Sequence, residues 1–320
     1  MPEGDTVHMT AARLHRALAG QLLTATDFRV PRFATADLSG QRVVEVVARG
    51  KHLLLRTDGG VTLHSHLMME GAWHLHRPGE RWRGPGFQAR VVLTTERCVA
   101  VGFRLGICEL VPTDREHEVV GHLGPDVLGP DWSLETAAAN LRAEPDRPIG
   151  VALLDQRAIA GPGNIWKSEI CFLRGVSPWT PVGEVDDLDG MLDLLKRMME
   201  VNRTIGQQVT TGDPRRGRKH WVAERAGEPC RRCGTPIRRG EQGPRGMERA
   251  TYWCPRCQRG PVPSGSTDRF GGGRDGRDRA EGRTGARDGR DRAEDRTRGG
   301  RAERREDAIR ATGERPIRSA

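Results

Sequence analysis

Four thiols and one terminal amine are the groups in this sequence best able to do chemistry. Cys230, Cys233, Cys254 and Cys257 follow the pattern C-x2-C-x20-C-x2-C. Two close pairs of thiolates suit a tetrahedral Zn²⁺ ion, each pair clipping a tight turn. Disulfides and an iron–sulfur cluster are the alternatives. Sulfur fills all four positions and leaves no place for a reactive water, so one structural zinc is expected. A segment this short has little core of its own, and metal binding then supplies much of its folding energy. The opposite end of the chain reads Met1-Pro2-Glu3. Removal of Met1 exposes an N-terminal proline, a secondary amine that titrates near pH ~8 and is partly unprotonated at neutral pH. Such an amine can attack a sugar C1′ and form an iminium, by the logic of a lysine Schiff base. Glu3 sets a carboxylate one residue away for proton transfer.

Three other stretches carry polar groups in telling places. AGPGNIWKSEI, residues 160–170, reads as a glycine turn with a helix beginning at Asn164 or Ile165. Backbone N–H groups at that helix start, around Gly163, can hold a phosphate, with Asn164 adding a side-chain donor; a generic inter-helix turn is the alternative. Arg49-Gly50-Lys51 stands at the start of a strand, where Lys51 could reach a phosphate or a sugar oxygen. Arg238, Arg239, Arg245 and Arg249, followed by Tyr252 and Trp253, lie between the cysteine pairs. They suit either a zinc-clipped hairpin that presents arginines or a solvated face.

The elements that must position these groups fall into blocks. A helical pattern runs over Thr6–Leu18 (Val7, Leu14 and Leu18, closed by Gly20), so the terminal amine precedes a helix. Short Val- and Leu-rich runs follow at 21–30, 43–47, 52–56, 61–66, 88–94, 99–101 and 107–111, broken by Gly, Pro and Asp. That density predicts a β-sandwich. After Pro130 the periodicity turns helical over 134–143, 148–157, 165–173 and 184–202. Ser133 suits an N-cap, Pro148 a first turn and Gly175 a helix stop. Leu188, Leu192, Leu195 and Met199 form an apolar stripe that reads as core. The fold class is therefore α+β. A β-sandwich with a flanking helix spans 1–132, helices carrying the glycine turn span 133–222, and the cysteine module spans 223–260. Residues 261–320 nearly lack apolar side chains and repeat RDGRDRAE, which predicts a disordered mixed-charge tail.

The 320 residues carry a formal charge of +9, which favours an anionic partner, nucleic acid being the usual one. No run of about 18 apolar residues and no secretory leader are evident, so a cytoplasmic, nucleoid-associated protein without membrane contact is expected. Cys98, Cys108 and Cys171 read as isolated, reduced structural thiols. Nothing suggests a subunit interface, and a monomer is expected.

PEGDTV, RGKHLL, LLDQRAIAGPGNIWKSEICF and ERATYWCPRCQ occur in this order. Together they resemble the formamidopyrimidine-DNA glycosylase/endonuclease VIII family over residues 2 to about 259. The resemblance implies a helix–two-turns–helix domain, a four-cysteine zinc finger and damaged DNA as partner. It implies a bifunctional glycosylase and abasic-site lyase of base-excision repair, working through a Schiff base and β,δ-elimination. Pro2 takes the nucleophile's position and Glu3 the acid/base position. Lys51 takes that of the strand lysine needed for catalysis, Asn164 that of the phosphate-gripping turn asparagine, and Arg249 that of the zinc-finger arginine beside the flipped nucleotide. The loop after the fourth strand run supplies the void-filling wedge, Met69 first and Met68 second; core packing is the alternative for both. Gly4 after Glu3 is similar to the endonuclease VIII branch, which prefers oxidised pyrimidines. RGKHLL and the segment Glu200–Arg203 are similar to an actinobacterial subgroup of that branch. Two departures stand out. Pro162 lies between the turn glycines and lacks a backbone donor, and Glu70 puts a negative charge in the wedge loop. A protein that binds damage or abasic sites, with lyase activity only or no efficient catalysis, is the alternative function.

Overall fold

In a computed structural model of the chain, the described residues are 2–263. The expected loss of Met1 and the expected disorder of the tail beyond Pro263 lie outside them. Helix α1 spans Gly4–Leu18 and begins two residues before its predicted start, because Glu3 serves as N-cap. Val7, Ala11, Leu14 and Leu18 recur at helical spacing and are buried on one face.

Eight strands follow in two antiparallel sheets. Strand β1 is Ala25–Phe28, β2 is Val43–Arg49, β3 is His52–Thr57 and β4 is Val61–His66. Strand β5 is Ala72–His76, β6 is Ala89–Thr94, β7 is Val99–Phe103 and β8 is Ile107–Pro112. The orders are β1-β6-β7-β5 and β2-β3-β4-β8. Phe28, Val91, Leu93 and Ala100 of one sheet share a core with Val46, Leu53, Leu55 and Leu63 of the other and with the buried face of α1. This is the predicted sandwich with its flanking helix. Strand β5 was not expected. Its AWHLH sequence is too rich in histidine to read as a strand, and pairing with β7 decides it.

The helical part holds α2 (His117–Val120), α3 (Leu134–Arg142), α4 (Ile149–Ala152), α5 (Asn164–Arg174) and α6 (Leu188–Asn202). Ser133 caps α3 through its Oγ, and Gly175 ends α5 at φ +71°. The helix predicted over 148–157 shrinks to four residues. Asp155 draws the Arg157 N–H onto its own carboxylate and forms an Asx turn that competes with the helical ladder. The chain then passes through turns to Gly163 before α5 begins. The apolar stripe of α6 packs with Trp166, Ile170 and Ala137 in a second core.

Strands β9 (Arg238–Gln242) and β10 (Arg249–Trp253) form an antiparallel hairpin between the cysteine pairs. Phe172 of α5 joins Val222, Ile237, Cys230 and Cys254 in a third, small core that seats this module on α5. Among the described residues, no helix is long and apolar enough to cross a membrane.

Candidate active site

The site grows from the buried Glu3 carboxylate. Its Oε2 accepts from the Gly163 N–H at 2.8 Å and the Trp166 N–H at 3.3 Å, and its Oε1 accepts from the Ile165 N–H at 2.8 Å. These are donors at the start of α5, which have no partner within their own helix and sit at its positive end. The amides around Gly163 were expected to grip a phosphate. In this structure the Gly163 N–H goes to Glu3, because a buried carboxylate needs fixed donors more than an exposed phosphate does.

Backbone contact holds the N-terminus against the turn. The Gly4 N–H donates to the Gly161 carbonyl at 2.9 Å. A Cβ on Gly4 would stand 2.8 Å from Gly161 Cα, and one on Gly163 would overlap Glu3 Cδ. The turn is buttressed by Gln156, which accepts from Gly161 N–H and donates to the Pro162 carbonyl, both at 3.0 Å. Pro162 thus lies where its missing N–H leaves no bond unmade in the turn. Pro2, half-buried, precedes Glu3 at the same place.

Lys51 occupies the two-residue tip of the β2–β3 hairpin, whose last pair is Arg49 with His52. Gly50 provides the positive φ of +58° that this tip requires. Its N–H donates to Asp126 Oδ2 at 2.7 Å; the same oxygen is 3.2 Å from His8 Nε2, and Oδ1 accepts from Leu128 N–H at 3.0 Å. Burial pushes the Asp126 pKa up, but these hydrogen bonds outweigh it and hold the carboxyl below its ordinary value. Asp126 therefore fixes the lysine-bearing tip to α1 and to the segment beside Ala160. Nothing in the sequence marked it.

Burial lowers the pKa of Lys51; Glu3 opposes the shift, Arg249 adds to it, and Asp5 opposes it. Side chains from three widely separated stretches of the sequence thus share one electrostatic neighbourhood. Asp5 is buried and its pKa is pushed up to about 6, by desolvation first and by the Glu3 charge second. His52 Nδ1 lies 2.7 Å from His64 Nε2, and His64 Nδ1 lies 2.8 Å from Glu109 Oε1. Burial, with mutual repulsion and Lys51, brings His52 down to about 3; burial with Lys51 brings His66 down to about 4. His52 and His66 are therefore neutral at physiological pH at the end of β3 and β4 nearest Lys51.

Lys167 also escaped sequence reasoning. It is fully buried on α5, and its Nζ donates to Asn164 Oδ1 at 2.8 Å, Thr251 Oγ1 at 2.7 Å and the Ala250 carbonyl at 3.2 Å. Burial lowers its pKa to about 8. Lys167 occupies the amide oxygen of Asn164, so Nδ2 is the donor end left for a ligand. It also pins β10 directly after Arg249. The sequence signal was a lysine on the inward face of an apolar helix, which must find several acceptors when buried.

Met68 and Met69 leave the sheet just after β4, where His66 pairs with His52 beside Lys51. They are 47% and 63% exposed, which excludes core packing. Glu70 in the same turn has Arg104 Nε 3.9 Å from its carboxylate, so its charge is partly balanced. Cys108 and Cys171 are buried, and burial raises both thiols to about 12, as inert structural cysteines require.

The ligand atoms of Cys230, Cys233, Cys254 and Cys257 all lie within 4.8 Å of one another. Cys230 Sγ is 3.9 Å from Cys257 Sγ, and Cys233 Sγ is 3.4 Å from Cys254 Sγ. Tetrahedral zinc at its usual thiolate distance separates sulfurs by about 3.8 Å, so the cluster fits a zinc ion.

Residues 1–104 match the profile of the formamidopyrimidine-DNA glycosylase N-terminal domain, and residues 227–260 match the zinc finger found in FPG and IleRS. The chain is 54% identical over 266 residues to a probable endonuclease 8 2 of Streptomyces coelicolor, covering 82% of this chain and 96% of that one. It is 51% identical over 258 residues to the DNA-(apurinic or apyrimidinic site) lyase Nei2 of Mycolicibacterium smegmatis, covering 81% and 99%. Among solved structures, Lactococcus lactis Fpg complexed with abasic-site DNA shares the fold with a TM-score of 0.69 at 22% identity, over 81% of this chain and 100% of that one. The shared fold, the glycine-packed N-terminus, the cysteine cluster and these identities along nearly the whole of each relative lead to one conclusion: the chain belongs to the formamidopyrimidine-DNA glycosylase/endonuclease VIII family.

Proposed function

We propose that this protein is a base-excision-repair DNA glycosylase and abasic-site lyase, with oxidised pyrimidines as favoured substrates and Pro2 as nucleophile. One observation carries the reading: Glu3 is locked onto the start of α5 with Pro2 immediately before it, and Lys51 and Arg249 share the electrostatic field of that carboxylate. Charges of both signs thus neighbour the Glu3 carboxylate that directly follows Pro2.

Removal of Met1 frees the Pro2 nitrogen. That nitrogen bonds to C1′ of the damaged nucleotide, the glycosidic C–N bond breaks, and the base leaves with a proton. Glu3 takes the proton that the Pro2 nitrogen sheds on bonding and passes it to O4′ as the sugar ring opens, giving an iminium between Pro2 and C1′, while the departing base takes its proton from water. The iminium acidifies the C2′ protons; loss of one expels the 3′ phosphate, and a second elimination expels the 5′ phosphate. The base must leave the duplex for C1′ to be reached. Asn164 Nδ2, Arg249 and Lys51 grip the phosphates around the extruded nucleotide, and Gly163 acts through Glu3. Met69, with Met68 beside it, fills the vacated stack. One structural zinc at the four cysteines holds the hairpin that carries Arg249. The protein acts as a monomer on cytoplasmic, nucleoid DNA. The three folded segments follow 1–132, 133–222 and 223–260.

Borohydride trapping on duplexes carrying thymine glycol, 8-oxoguanine or a bare abasic site tests this. A covalent adduct with thymine glycol, absent in Pro2→Gly, is the expected result. Adduct at the abasic site alone would reduce the protein to a lyase with weak base recognition. No adduct on any duplex, with Met1 absent by intact mass and zinc bound, would overturn the enzymatic reading.

A further inference from the structure

Met68 holds a backbone φ of +51°, the left-handed region that a residue with a side chain seldom occupies. Such a conformation persists only where its surroundings impose it. The Met68 N–H donates to Nδ1 of His66 at 2.9 Å, a bond that spans Leu67 directly after β4. The Gly71 N–H donates to the Leu67 carbonyl at 2.7 Å and closes the turn. The Met68 side chain lies across Gly106, where a Cβ would stand 2.2 Å from Met68 Cγ. Gly106 is itself fixed, its N–H donating to the His66 carbonyl at 3.0 Å. His66 therefore holds both sides of Met68: its ring takes the Met68 amide, and its carbonyl takes the glycine on which Met68 is seated. With Met68 so lodged, Met69 is the more exposed of the two.

We infer that His66 is a positioning residue, whose imidazole presets the turn after β4 so that Met69 enters the DNA stack from a turn already bent. This rests on the proposed function, in which Met69 takes the place of the extruded nucleotide. Inserting a side chain between bases costs whatever conformational freedom must be lost in the act, and a preformed turn has lost it beforehand. Without the acceptor on His66, a methionine has no reason to stay left-handed. The imidazole must be neutral to accept, with its proton on Nε2 and a lone pair on Nδ1. Burial first, then repulsion from Lys51 and His64, keeps it so at neutral pH. The His66 ring also meets the His52 ring edge-on at 4.9 Å across the β3–β4 pair, and His52 follows Lys51. The turn and the lysine tip are thereby built on the same two paired strand ends.

Three variants of the full chain, each measured as folded protein, separate this role from packing. His66→Phe keeps a ring and removes the acceptor. His66→Asn keeps a side-chain acceptor for the N–H two residues on, as asparagine does in turns of its own. Gly106→Ala leaves His66 in place and unseats Met68. Binding is read on a duplex with 2-aminopurine opposite a tetrahydrofuran abasic analogue, whose fluorescence responds to insertion and needs no catalysis. His66→Phe and Gly106→Ala are expected to bind this duplex about fivefold more weakly, as loss of one hydrogen bond does, with a diminished fluorescence change at saturation. His66→Asn is expected to match the wild type. On the lesion strand alone, which has no stack to enter, all four proteins are expected to bind alike. Borohydride trapping at a true abasic site is expected to slow by the same factor on the duplex and not on the single strand. A His66→Phe protein equal to the wild type on the duplex would overturn the inference. So would an equal loss on duplex and single strand, or a His66→Asn protein as impaired as His66→Phe. A wild type that binds with the fluorescence change but never forms an adduct would remove the enzymatic reading and leave this one standing. A wild type that binds no abasic duplex would remove both.

Discussion

At the residue scale, the buried ionisable groups around Glu3 have separable consequences. Asp5 has a folded pKa of about 6 against an ordinary value of 3.8. Between those values the folded state holds a proton that the unfolded chain has lost, so stability falls as pH rises through that window. Above pH 6 the full cost is present, on the order of 3 kcal/mol. Asp5→Asn keeps an acceptor for the Thr6 N–H. It is expected to raise the melting temperature at pH 7.5 and to flatten its dependence between about pH 4 and 6. A melting series against pH checks this, and an unchanged slope would contradict it. Lys167 makes a different prediction. Lys167→Met fits the buried stem but frees Asn164 Oδ1 and unpins β10 after Arg249. A loss in kcat/KM of about tenfold is expected, carried mostly by KM, since the two side chains proposed to grip phosphate, Asn164 and Arg249, lose their fixed positions. Steady-state kinetics on an abasic duplex reads that split; an unchanged KM would mean that Lys167 only packs.

At the scale of elements, the N-terminal junction into α1 and the glycine turn are one unit. A carboxylate from residue 3 satisfies the start of a helix beginning at residue 164, and three glycines permit the approach. Gly163→Ala inserts a Cβ into Glu3 Cδ and must displace the carboxylate or the turn. A stability loss of about 1–3 kcal/mol is expected from such overpacking. A much larger loss of borohydride-trapped adduct should accompany it, measured on folded protein. A second carboxylate, on α5 itself, repeats the device. Glu169 accepts from the N–H groups of Trp221, Val222 and Ala223, each at 2.8 Å, and so docks the approach to the cysteine module. The hairpin itself lies between the two pairs of thiols. Stripping zinc with a chelator is expected to abolish abasic-duplex binding and to expose amides of the cysteine module to hydrogen exchange, while the β-sandwich stays protected. Uniform exchange throughout the chain would show instead that the module is not separately metal-dependent.

At the scale of the whole molecule, Asp126 joins parts that are distant in sequence. Its carboxylate meets α1 at His8, the Lys51 tip at Gly50 and its own turn at Leu128. Because its folded pKa is depressed, its contribution is present above the ordinary carboxylate range and is lost as pH falls through the lower folded value. Asp126→Ala leaves buried donors unpaired. A cost of about 1–3 kcal/mol at neutral pH is expected, shrinking toward acid, together with weaker catalysis as Lys51 loses its anchor. Denaturant titration at about pH 7 and about pH 3.5 measures both the cost and its sign. A cost that grew toward acid would overturn the assignment.

The cysteine spacing, the glycine turn and the Met-Pro-Glu start were legible in the sequence because each is local chemistry: spacing, conformation and terminal position are properties of a few consecutive residues. The sandwich was legible for a similar reason, since alternating short apolar runs bury themselves only in stacked sheets. The α6 stripe and the caps at Ser133 and Gly175 followed from helical period and backbone preference. Strand β5, the shortened α4, and the roles of Asp126, Lys167 and Glu169 were decided only by the tertiary structure. Each depends on a partner remote in the chain or on a competing side-chain bond, as in His8 with Asp126 and Lys167 with Thr251. The destination of the α5 amides belongs to the same class. Sequence identifies free donors at a helix start, but only packing decides whether a phosphate from outside or a carboxylate from the chain's own N-terminus reaches them.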